Sequence, residues 1–147
     1  MSSTKFTNRE LATKSGDFMV KNDSAFRRLG ASLEKIDPGS AKVSLTINQN
    51  HTNGHGFCHG GIIFTLADAT FGFACNSYNK KAVAQNCSIT YISPVKDKDI
   101  LTSQANLIKK FGRSGIYDVT IKNQHDDLVA VFRGHSRENG EKLFEEM

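Results

Sequence analysis

Residues 53–78, NGHGFCHGGIIFTLADATFGFACNSY, join a turn rich in glycine and histidine to the longest apolar run of the chain. Apolar residues between Gly60 and Tyr78 fall on all sides of a 3.6-residue period, which predicts a helix buried on nearly every side. Asp68 is the only charged residue in this run. Because a lone buried carboxylate is costly unless it is paired or hydrogen-bonded, Asp68 needs a structural or chemical reason to be there.

Asp68 stands eight residues after Gly60, which is about 12 Å further along the helix axis at about 1.5 Å per residue. Its helical neighbours Phe64, Phe71 and Gly72 are apolar or small, and such surroundings raise the pKa of a carboxyl group unless hydrogen bonds or water offset them. The residue is therefore a candidate general base or nucleophile. A structural hydrogen bond to a strand amide explains a buried aspartate equally well, and the pattern leaves both interpretations open.

The start of this helix carries two consecutive glycines, Gly60 and Gly61, directly after His59. The first amides of a helix have no partner within it, and the helix dipole makes that end positive. Such an end can hold a carbonyl oxygen as it becomes an oxyanion, and glycine lets a substrate approach the backbone closely. The alternative is a turn that needs glycine only for its dihedral angles.

The composition indicates one globular domain over residues 1–147, because apolar content, charge and proline are in the ordinary range. A net charge of +4, with basic residues spread along the chain, favours a small anion over nucleic acid as a partner. Three cysteines, an odd number without a CxxC pair, indicate reduced thiols in a cytoplasmic protein. We expect no secretory signal, and the apolar helix is too short and too charged to span a membrane.

Strand signals surround the central helix. Residues 1–30 predict one or two short helices as an N-terminal extension, with an N-cap at Asn22-Asp23-Ser24 and a closing turn at Gly30. Alternating patterns and turn signals predict strands at residues 31–36, 42–47, 82–91, 100–111, 116–123 and 128–136. We expect residues 138–147 to form a polar, frayed tail.

This order of elements is that of an α+β protein with antiparallel pairing of consecutive strands. A sheet of about six strands buries a helix on all sides only when it curls around it. A flat sheet with one covering helix is the competing arrangement, and it would leave one side of the helix to water or to an interface.

Other site chemistries lack their signatures in this stretch. A metal at His55, Cys58 and His59 would need a fourth ligand, and the HExxH pattern is missing, so we expect no metal. A Cys58–His59 nucleophile pair is disfavoured because adjacent side chains point apart and no acid orients the histidine. A G-x-S-x-G elbow and the glycine-rich phosphate loops are also missing from the sequence.

The run NGHGFCHGGIIFTLADATFGFACNS, with Ile89-Thr90-Tyr91 and Ser93-Pro94 after it, resembles the phenylacetate-pathway (PaaI-like) branch of the hotdog-fold acyl-CoA thioesterases. The resemblance covers residues 41–137, and its most specific element is HGG followed by AD. It implies the hotdog fold, in which a curved antiparallel sheet of about six strands wraps a long central helix. It also implies hydrolysis of acyl-CoA thioesters without a metal or cofactor.

Carried over by position, the resemblance implies that the Gly60 N–H polarises the thioester carbonyl with help from the Asn53 side chain. His59 would support this turn, and Asp68 would activate or deliver the attacking oxygen. Some relatives place a serine or threonine hydroxyl on the strand after the helix to orient the water, whereas the aligned position here is Ala84, with Gln85, Asn86 and Ser88 nearby. The water-orienting group is therefore not assigned by the resemblance.

The resemblance also implies where the rest of the substrate binds. The family binds the CoA phosphates near a turn between two strands and near the last strand. Basic side chains suit phosphate contact, although a run of charge is more often only a solvated face. The substrate-binding residues implied in this way are Gly61, Tyr91, Lys109, Lys110, Arg113, Ser114 and Arg137.

The leading hypothesis is an acyl-CoA thioesterase for phenylacetyl, hydroxyphenylacetyl or medium-chain acyl groups, with coenzyme A as part of the substrate. A non-catalytic acyl-CoA-binding protein of the same fold is the alternative, but a binding module has no use for a carboxylate at the thioester. A dehydratase of this fold would use a histidine base, which the helix interior lacks. Because Gly60 and Asp68 lie about 12 Å apart on one helix, we expect a site shared within a homodimer, and the resemblance implies a homotetramer.

Overall fold

The computed structural model describes residues 5–146, so residues 1–4 of the predicted extension and residue 147 of the tail lie outside it. The helices are α1 (Asn8–Asn22), α2 (Ser24–Leu29) and α3 (Gly60–Cys75), with a short 3-10 helix at Gln49–His51. The strands are β1 (Ser32–Asp37), β2 (Ser40–Thr46), β3 (Ala82–Tyr91), β4 (Ile100–Phe111), β5 (Ser114–Lys122) and β6 (Leu128–Glu138). None of the helices in this range is long and apolar enough to cross a bilayer.

Local capping signals produce the two helices of the N-terminal extension. α1 begins with a capping box, in which Thr7 Oγ1 accepts from the Glu10 N–H and the Glu10 carboxylate accepts from the Thr7 N–H, both at 3.1 Å. Asp23 caps α2 by accepting from the Phe26 N–H at 2.9 Å, and Gly30 ends the helix at φ 86°. The predicted caps of α2 are confirmed.

All six strands join one antiparallel sheet in the order β1-β2-β4-β5-β6-β3. The β1–β2 hairpin turns at Asp37-Pro38-Gly39-Ser40, a sequence typical of tight turns, and Gly39 there has φ 76°. A Cβ at Gly39 would also lie 2.6 Å from the Tyr78 hydroxyl, so a side chain there would require Tyr78 to move. β1 and β3 are the edge strands, and within the described residues β3 pairs with β6 alone.

The inner face of the sheet packs against α3. Leu66 and Phe71 are almost completely buried there, and each such side chain contributes about 1.5–3 kcal/mol. The Phe71 ring contacts Tyr117 and Phe132, with ring centroids 5.7 and 5.8 Å apart. It lies so close to β6 that a Cβ at Gly134 would come within 2.7 Å of it, so a glycine on the sheet makes room for the helix.

α3 is not buried on nearly every side, contrary to the prediction. Gly61 and Thr65 are exposed on one stripe of the helix, and Asp68 and Gly72 continue this stripe as half-buried positions. The sheet covers one side of the helix, and the other side is approached by α1 at Gly72, where a Cβ would lie 3.8 Å from Met19 Cε. The only charge of the helix therefore lies on its open stripe, where water reaches it.

The C-terminal tail is held in place rather than frayed. Asn79 has φ 56°, and its side-chain oxygen accepts from the Leu143 and Phe144 N–H groups at 3.0 and 3.1 Å. Its side-chain nitrogen donates to the Phe144 carbonyl at 2.9 Å. The polar composition predicted fraying, but an asparagine outside the tail supplies the partners for the tail backbone.

Candidate active site

The start of α3 presents two amides without a partner. Within residues 5–146, nothing accepts a hydrogen bond from the Gly60 or Gly61 N–H, whereas the His59 carbonyl accepts those of Ile62 and Ile63 at 3.1 and 3.3 Å. Neither glycine has a positive φ, so the interpretation as a turn that needs glycine for its dihedrals is wrong. Free amides at the positive end of a helix dipole form a position for an anion.

The two glycines differ in their surroundings. A Cβ at Gly60 would lie 3.0 Å from Tyr91 Cζ, and the Tyr91 hydroxyl donates a 2.7 Å hydrogen bond to the Gly60 carbonyl. A Cβ at Gly61 would meet nothing within 4 Å. Gly60 thus lets the end of β3 approach the helix start, while Gly61 faces open space that a ligand can enter. The structure brings Tyr91, a predicted substrate-binding residue, to the helix start.

A cavity of about 280 Å³ opens beside this helix start. Its walls come from the loop before α3, from α3 itself and from the segment after β3, and they include Phe57, Ile63, Ile92 and Val95. Phe57 and Ile92 remain 46% and 51% exposed. An apolar cavity next to free amides suits an apolar group that ends in a carbonyl.

Asn53 organises the loop that leads into the helix. Its side-chain oxygen accepts from the His55 and Phe57 N–H groups at 2.8 and 3.2 Å. Its side-chain nitrogen, the donor implied for the substrate carbonyl, has no acceptor among residues 5–146. The His59 ring is exposed and makes no capping hydrogen bond to the helix. His59 therefore directly precedes the helix start, and Asn53 lies in the loop that leads into it with its side-chain nitrogen available as a donor.

Cys58 lies beside this start as a buried thiol. Burial raises its pKa to about 11, so it stays protonated near pH 7 and is a poor nucleophile. Its sulfur lies 3.5 Å from the His59 carbonyl oxygen, to which it donates. In the part of the chain that the structure describes, no three His, Cys, Asp or Glu side chains form a group that could hold a metal ion.

Asp68 lies in the middle of the open stripe of α3. Burial is the main cause that raises the pKa of its carboxyl group, and the charge of Asp23 raises it further. The carboxylate contacts Cys87 on β3, whose Sγ lies 4.0 Å from Oδ1, and no described backbone amide donates to it. The described residues therefore do not support the interpretation of Asp68 as a structural acceptor for a strand amide.

The β3 residue that faces Asp68 is Cys87, not Ala84, the position that the resemblance aligns with the water-orienting hydroxyl of relatives. A bulge between Ala84 and Asn86 shifts the alternation of side chains along the strand, whereas Asn86 and Ser88 line cavities on the outer face of the sheet. Burial and the charge of Asp68 raise the pKa of the Cys87 thiol. The side chain beside the carboxylate is thus a neutral thiol and a weak hydrogen-bond donor.

The predicted phosphate-binding residues gather at the opposite end of α3. Lys110 Nζ lies 3.7 Å from the Glu138 carboxylate and 4.1 Å from the centre of the Tyr78 ring, just beyond the last turn of α3. The helix has 16 residues, so its ends are about 24 Å apart. One chain therefore does not bring the basic residues together with Gly60.

Strand register brings the basic residues themselves together. Ser114 pairs with Arg137, and the carbonyl of Arg113 in the β4–β5 turn accepts from the Glu138 N–H at 2.7 Å. Lys109 is exposed on β4. A cavity of about 380 Å³ at this end is lined by residues that include Lys80, Arg113 and Lys142. Lys80 and Lys142 were not predicted as part of this site. Lys80 reaches the cavity through the turn after α3, and Lys142 reaches it through the folded-back tail.

Residues 55–130, which include the helix start and Asp68, match the model of the thioesterase superfamily. The chain belongs to the thioesterase superfamily. This thioesterase is 40% identical over 122 residues to acyl-coenzyme A thioesterase PaaI of Escherichia coli (strain K12), across 83% of its own length and 87% of that protein. The structure of the E. coli PaaI protein from the phenylacetic acid degradation operon matches with a TM-score of 0.90 at 37% identity, over 92% of this chain and 99% of that one.

More distant relatives of the thioesterase carry related names. Human acyl-coenzyme A thioesterase 13 is 26% identical over 125 residues, across 83% of this chain and 89% of that protein. A hypothetical thioesterase protein of Streptococcus pneumoniae TIGR4, solved with coenzyme A, matches with a TM-score of 0.74 at 27% identity, over 76% of this chain and 90% of that one. The predicted family, hotdog fold and enzyme class, a thioester hydrolase, are confirmed.

Proposed function

We propose that this thioesterase hydrolyses acyl-CoA thioesters to a free acid and coenzyme A, with a phenylacetyl, hydroxyphenylacetyl or medium-chain acyl group. The name of the E. coli relative and its operon support the aryl-acetyl class, and the pneumococcal structure with coenzyme A supports the carrier. The apolar cavity at the helix start suits such an acyl group. Coenzyme A is part of the substrate, and the proposed reaction needs no cofactor.

The observation that carries this proposal is that one helix offers both unpartnered N-terminal amides and a carboxylate with a single weak contact, Asp68. The Gly60 and Gly61 N–H groups receive the thioester carbonyl oxygen, and the unpartnered side-chain nitrogen of Asn53, in the loop before α3, is the additional donor. As the carbonyl becomes tetrahedral, its oxygen gains negative charge, which these donors and the helix dipole stabilise. A raised pKa makes Asp68 a stronger base than an ordinary aspartate.

The reaction then proceeds with Asp68 as the proton carrier. Its carboxylate takes a proton from a water molecule while the water oxygen forms a bond to the thioester carbon. The tetrahedral intermediate collapses, the carbon–sulfur bond breaks, and the proton on Asp68 passes to the departing CoA thiolate. The products are the carboxylic acid and the CoA thiol, and Asp68 is again ionised.

Two copies of the chain are needed to build this site. Asp68 lies about 12 Å along α3 from Gly60, and the basic residues lie at the far end of the same helix. The outer edge of β3 is unpaired in the described residues, and the open stripe of α3 lies beside it. Pairing of two such edges in a two-fold homodimer would set the helix start of one copy against Asp68 of the other. Two dimers would then form the homotetramer.

A thiol-release assay tests the proposal. Wild-type enzyme and Asp68→Asn are assayed with phenylacetyl-, hydroxyphenylacetyl-, benzoyl- and straight-chain acyl-CoAs, and the released CoA is measured with a chromogenic thiol reagent. We expect the highest kcat/KM for an aryl-acetyl or medium-chain thioester and little turnover by the variant. Hydrolysis of none of these thioesters by the folded wild-type enzyme would refute the proposed substrate class.

A further inference from the structure

We propose that Tyr91, at the end of β3, is a positioning residue for the reaction, because its hydroxyl fixes the peptide group that joins Gly60 to Gly61. Gly60 supplies the carbonyl of this peptide group, and Gly61 supplies its N–H. The inference rests on the proposed function, in which the amides at the start of α3 receive the thioester carbonyl oxygen. It assigns Tyr91 a role that acts through the backbone, whereas the resemblance implied only that this residue binds the substrate.

The hydrogen bond from Tyr91 and one free amide lie at opposite sides of the same peptide group. The Tyr91 hydroxyl donates to the Gly60 carbonyl at 2.7 Å, and the Gly61 N–H has no acceptor among residues 5–146. Since a trans peptide group is planar, its carbonyl and its N–H point in opposite directions. A donor that holds the Gly60 carbonyl therefore also holds the direction of the Gly61 N–H.

This peptide group is flanked by two residues with unusual backbone freedom. Glycine restricts its neighbouring peptide groups less than any other residue does, and the amides of a first helical turn lack the helical hydrogen bonds that fix later ones. A Cβ at Gly60 would lie 3.0 Å from Tyr91 Cζ and 3.1 Å from its hydroxyl oxygen, whereas a Cβ at Gly61 would meet nothing within 4 Å. Gly60 thus admits the tyrosine, and Gly61 leaves space for a ligand.

The strand end that carries Tyr91 is anchored to the sheet. Tyr91 pairs with Ala130 of β6, and the N–H groups of the next two residues donate to the Val129 carbonyl at 2.8 and 3.2 Å. The Ser93 hydroxyl also donates to the Leu128 carbonyl at 2.9 Å. The end of β3 is therefore fixed to β6, and the tyrosine transmits this fixed position to the start of α3.

A donor on the carbonyl also strengthens the N–H of the same peptide group, because hydrogen bonds in a chain polarise one another. A fixed and stronger donor matters most when the thioester oxygen gains negative charge in the transition state. Loss of the tyrosine hydroxyl should therefore slow the chemical step and leave substrate binding nearly unchanged. The loss should be equal for different acyl groups, since all of them share the thioester carbonyl.

Tyr91→Phe removes the hydroxyl and keeps the ring in the wall of the cavity. We expect kcat to fall by about 3–10-fold, the scale of one hydrogen bond, with KM changed by less than about twofold. The same fold loss should appear with phenylacetyl- and straight-chain acyl-CoAs. Tyr78→Phe, which removes a hydroxyl beyond the other end of α3, is the matched control and should keep the wild-type kcat.

A second measurement does not depend on turnover. In protein labelled with ¹⁵N-glycine, the nitrogen chemical shift of the Gly61 amide responds to a hydrogen bond at the preceding carbonyl. We expect this signal, assigned by its loss in Gly61→Ala, to move in Tyr91→Phe. The signal of Gly112, in the exposed β4–β5 turn, should stay in place.

An unmoved Gly61 signal would overturn the inference, and so would a kcat loss in Tyr91→Phe no larger than that in Tyr78→Phe. A raised KM at constant kcat would contradict it too, because the hydroxyl would then act in substrate binding. Tyr91→Leu, which also lacks the hydroxyl, repeats both measurements if circular dichroism shows that Tyr91→Phe folds poorly. The proposed function fails in a different way, since it requires Asp68→Asn to lose turnover. An inactive Asp68→Asn with full kcat in Tyr91→Phe would refute the role of Tyr91 alone.

Discussion

The two ends of α3 differ in how their polar groups are satisfied. At the C-terminal end, the buried Asn76 side chain donates to the Gly72 and Ala82 carbonyls at 2.9 and 3.1 Å and accepts from the Ala82 N–H at 2.9 Å. Ser77 Oγ donates to Ala74 O at 2.7 Å there and accepts from the Gly39 N–H at 2.8 Å. At the N-terminal end, the Gly60 and Gly61 amides have no acceptor among the described residues.

This contrast separates stability from function along one helix. Satisfied buried hydrogen bonds hold the C-terminal end to β3 and to the β1–β2 hairpin, and losing such a partner costs stability. Unsatisfied donors at the N-terminal end are available to a ligand and cost little while water reaches them. Substitutions at the two ends should therefore affect different measurements.

Asp68→Asn should give the largest effect on turnover. The amide keeps the size of the side chain but removes the base, so kcat for the preferred acyl-CoA should fall by at least ~10²-fold with little change in KM. Near-normal kcat in the folded variant would show that Asp68 is not the base.

The stability of the same variant tests the sign of the Asp68 pKa shift. The folded state raises this pKa above its unfolded value, so ionised Asp68 opposes folding at pH 7 and Asp68→Asn should be at least as stable as wild type. This difference should shrink as the pH falls through the folded pKa and vanish below the lower, unfolded pKa, where both states bind the proton. Urea unfolding of the two proteins across pH 3–7 measures it, and a wild type that gains on the variant as pH rises would contradict the shift.

Asn53→Asp should lower kcat by about 10²-fold, because it removes one oxyanion donor and adds a negative charge. The loop should stay intact, since a carboxylate oxygen accepts from the His55 and Phe57 N–H groups as the amide oxygen does. Asn50→Asp in the exposed 3-10 helix is the control for added charge. Equal kcat values for the Asn53 and Asn50 variants would remove Asn53 from the site.

Asn76→Ala should show the opposite pattern. Loss of three hydrogen bonds at a buried position should lower the free energy of unfolding by about 2–4 kcal/mol, as measured by urea denaturation. Turnover per folded molecule should stay near that of wild type at low temperature. A variant of unchanged stability but low kcat would reverse the assignment of the two ends.

Lys110→Ala and Arg113→Ala should give the smallest effects. Contacts to phosphates far from the carbonyl contribute to binding without changing the chemical step, so KM for acyl-CoA should rise by about 3–10-fold while kcat changes little. Lys35→Ala, at the β1 edge and paired with Asp37, is the matched surface control. KM values no higher than the control would place the CoA phosphates elsewhere.

Most of the fold was predictable because local patterns determine it. Alternating residues predicted all six strands, and the α2 caps and the β1–β2 turn carried standard signals. The exposed stripe of α3 was not predictable, since small residues such as Gly61 and Gly72 look apolar in a periodicity analysis whether or not they are covered. The tail was misjudged because Asn79 binds it from more than 60 residues away in the chain.

The site was predictable only as far as residue type limits chemistry. The helix-start glycines and the lone Asp68 stood out because each violates an ordinary pattern for a buried helix. Cys87 was missed because a strand bulge changes which side chains face the helix, and a bulge leaves no reliable mark in strand alternation.

Mixing two inactive variants tests the shared site most directly. Asp68→Asn and Asn53→Asp are unfolded together in equal amounts and refolded, and mass spectrometry of the intact complexes verifies that mixed dimers form. Random mixing makes about half of the dimers mixed, and each of these holds one intact and one doubly altered site. We predict recovery of roughly a quarter of the wild-type activity. No recovery in a sample that contains mixed dimers would place Asn53 and Asp68 of the same chain in one site and contradict the shared-site mechanism.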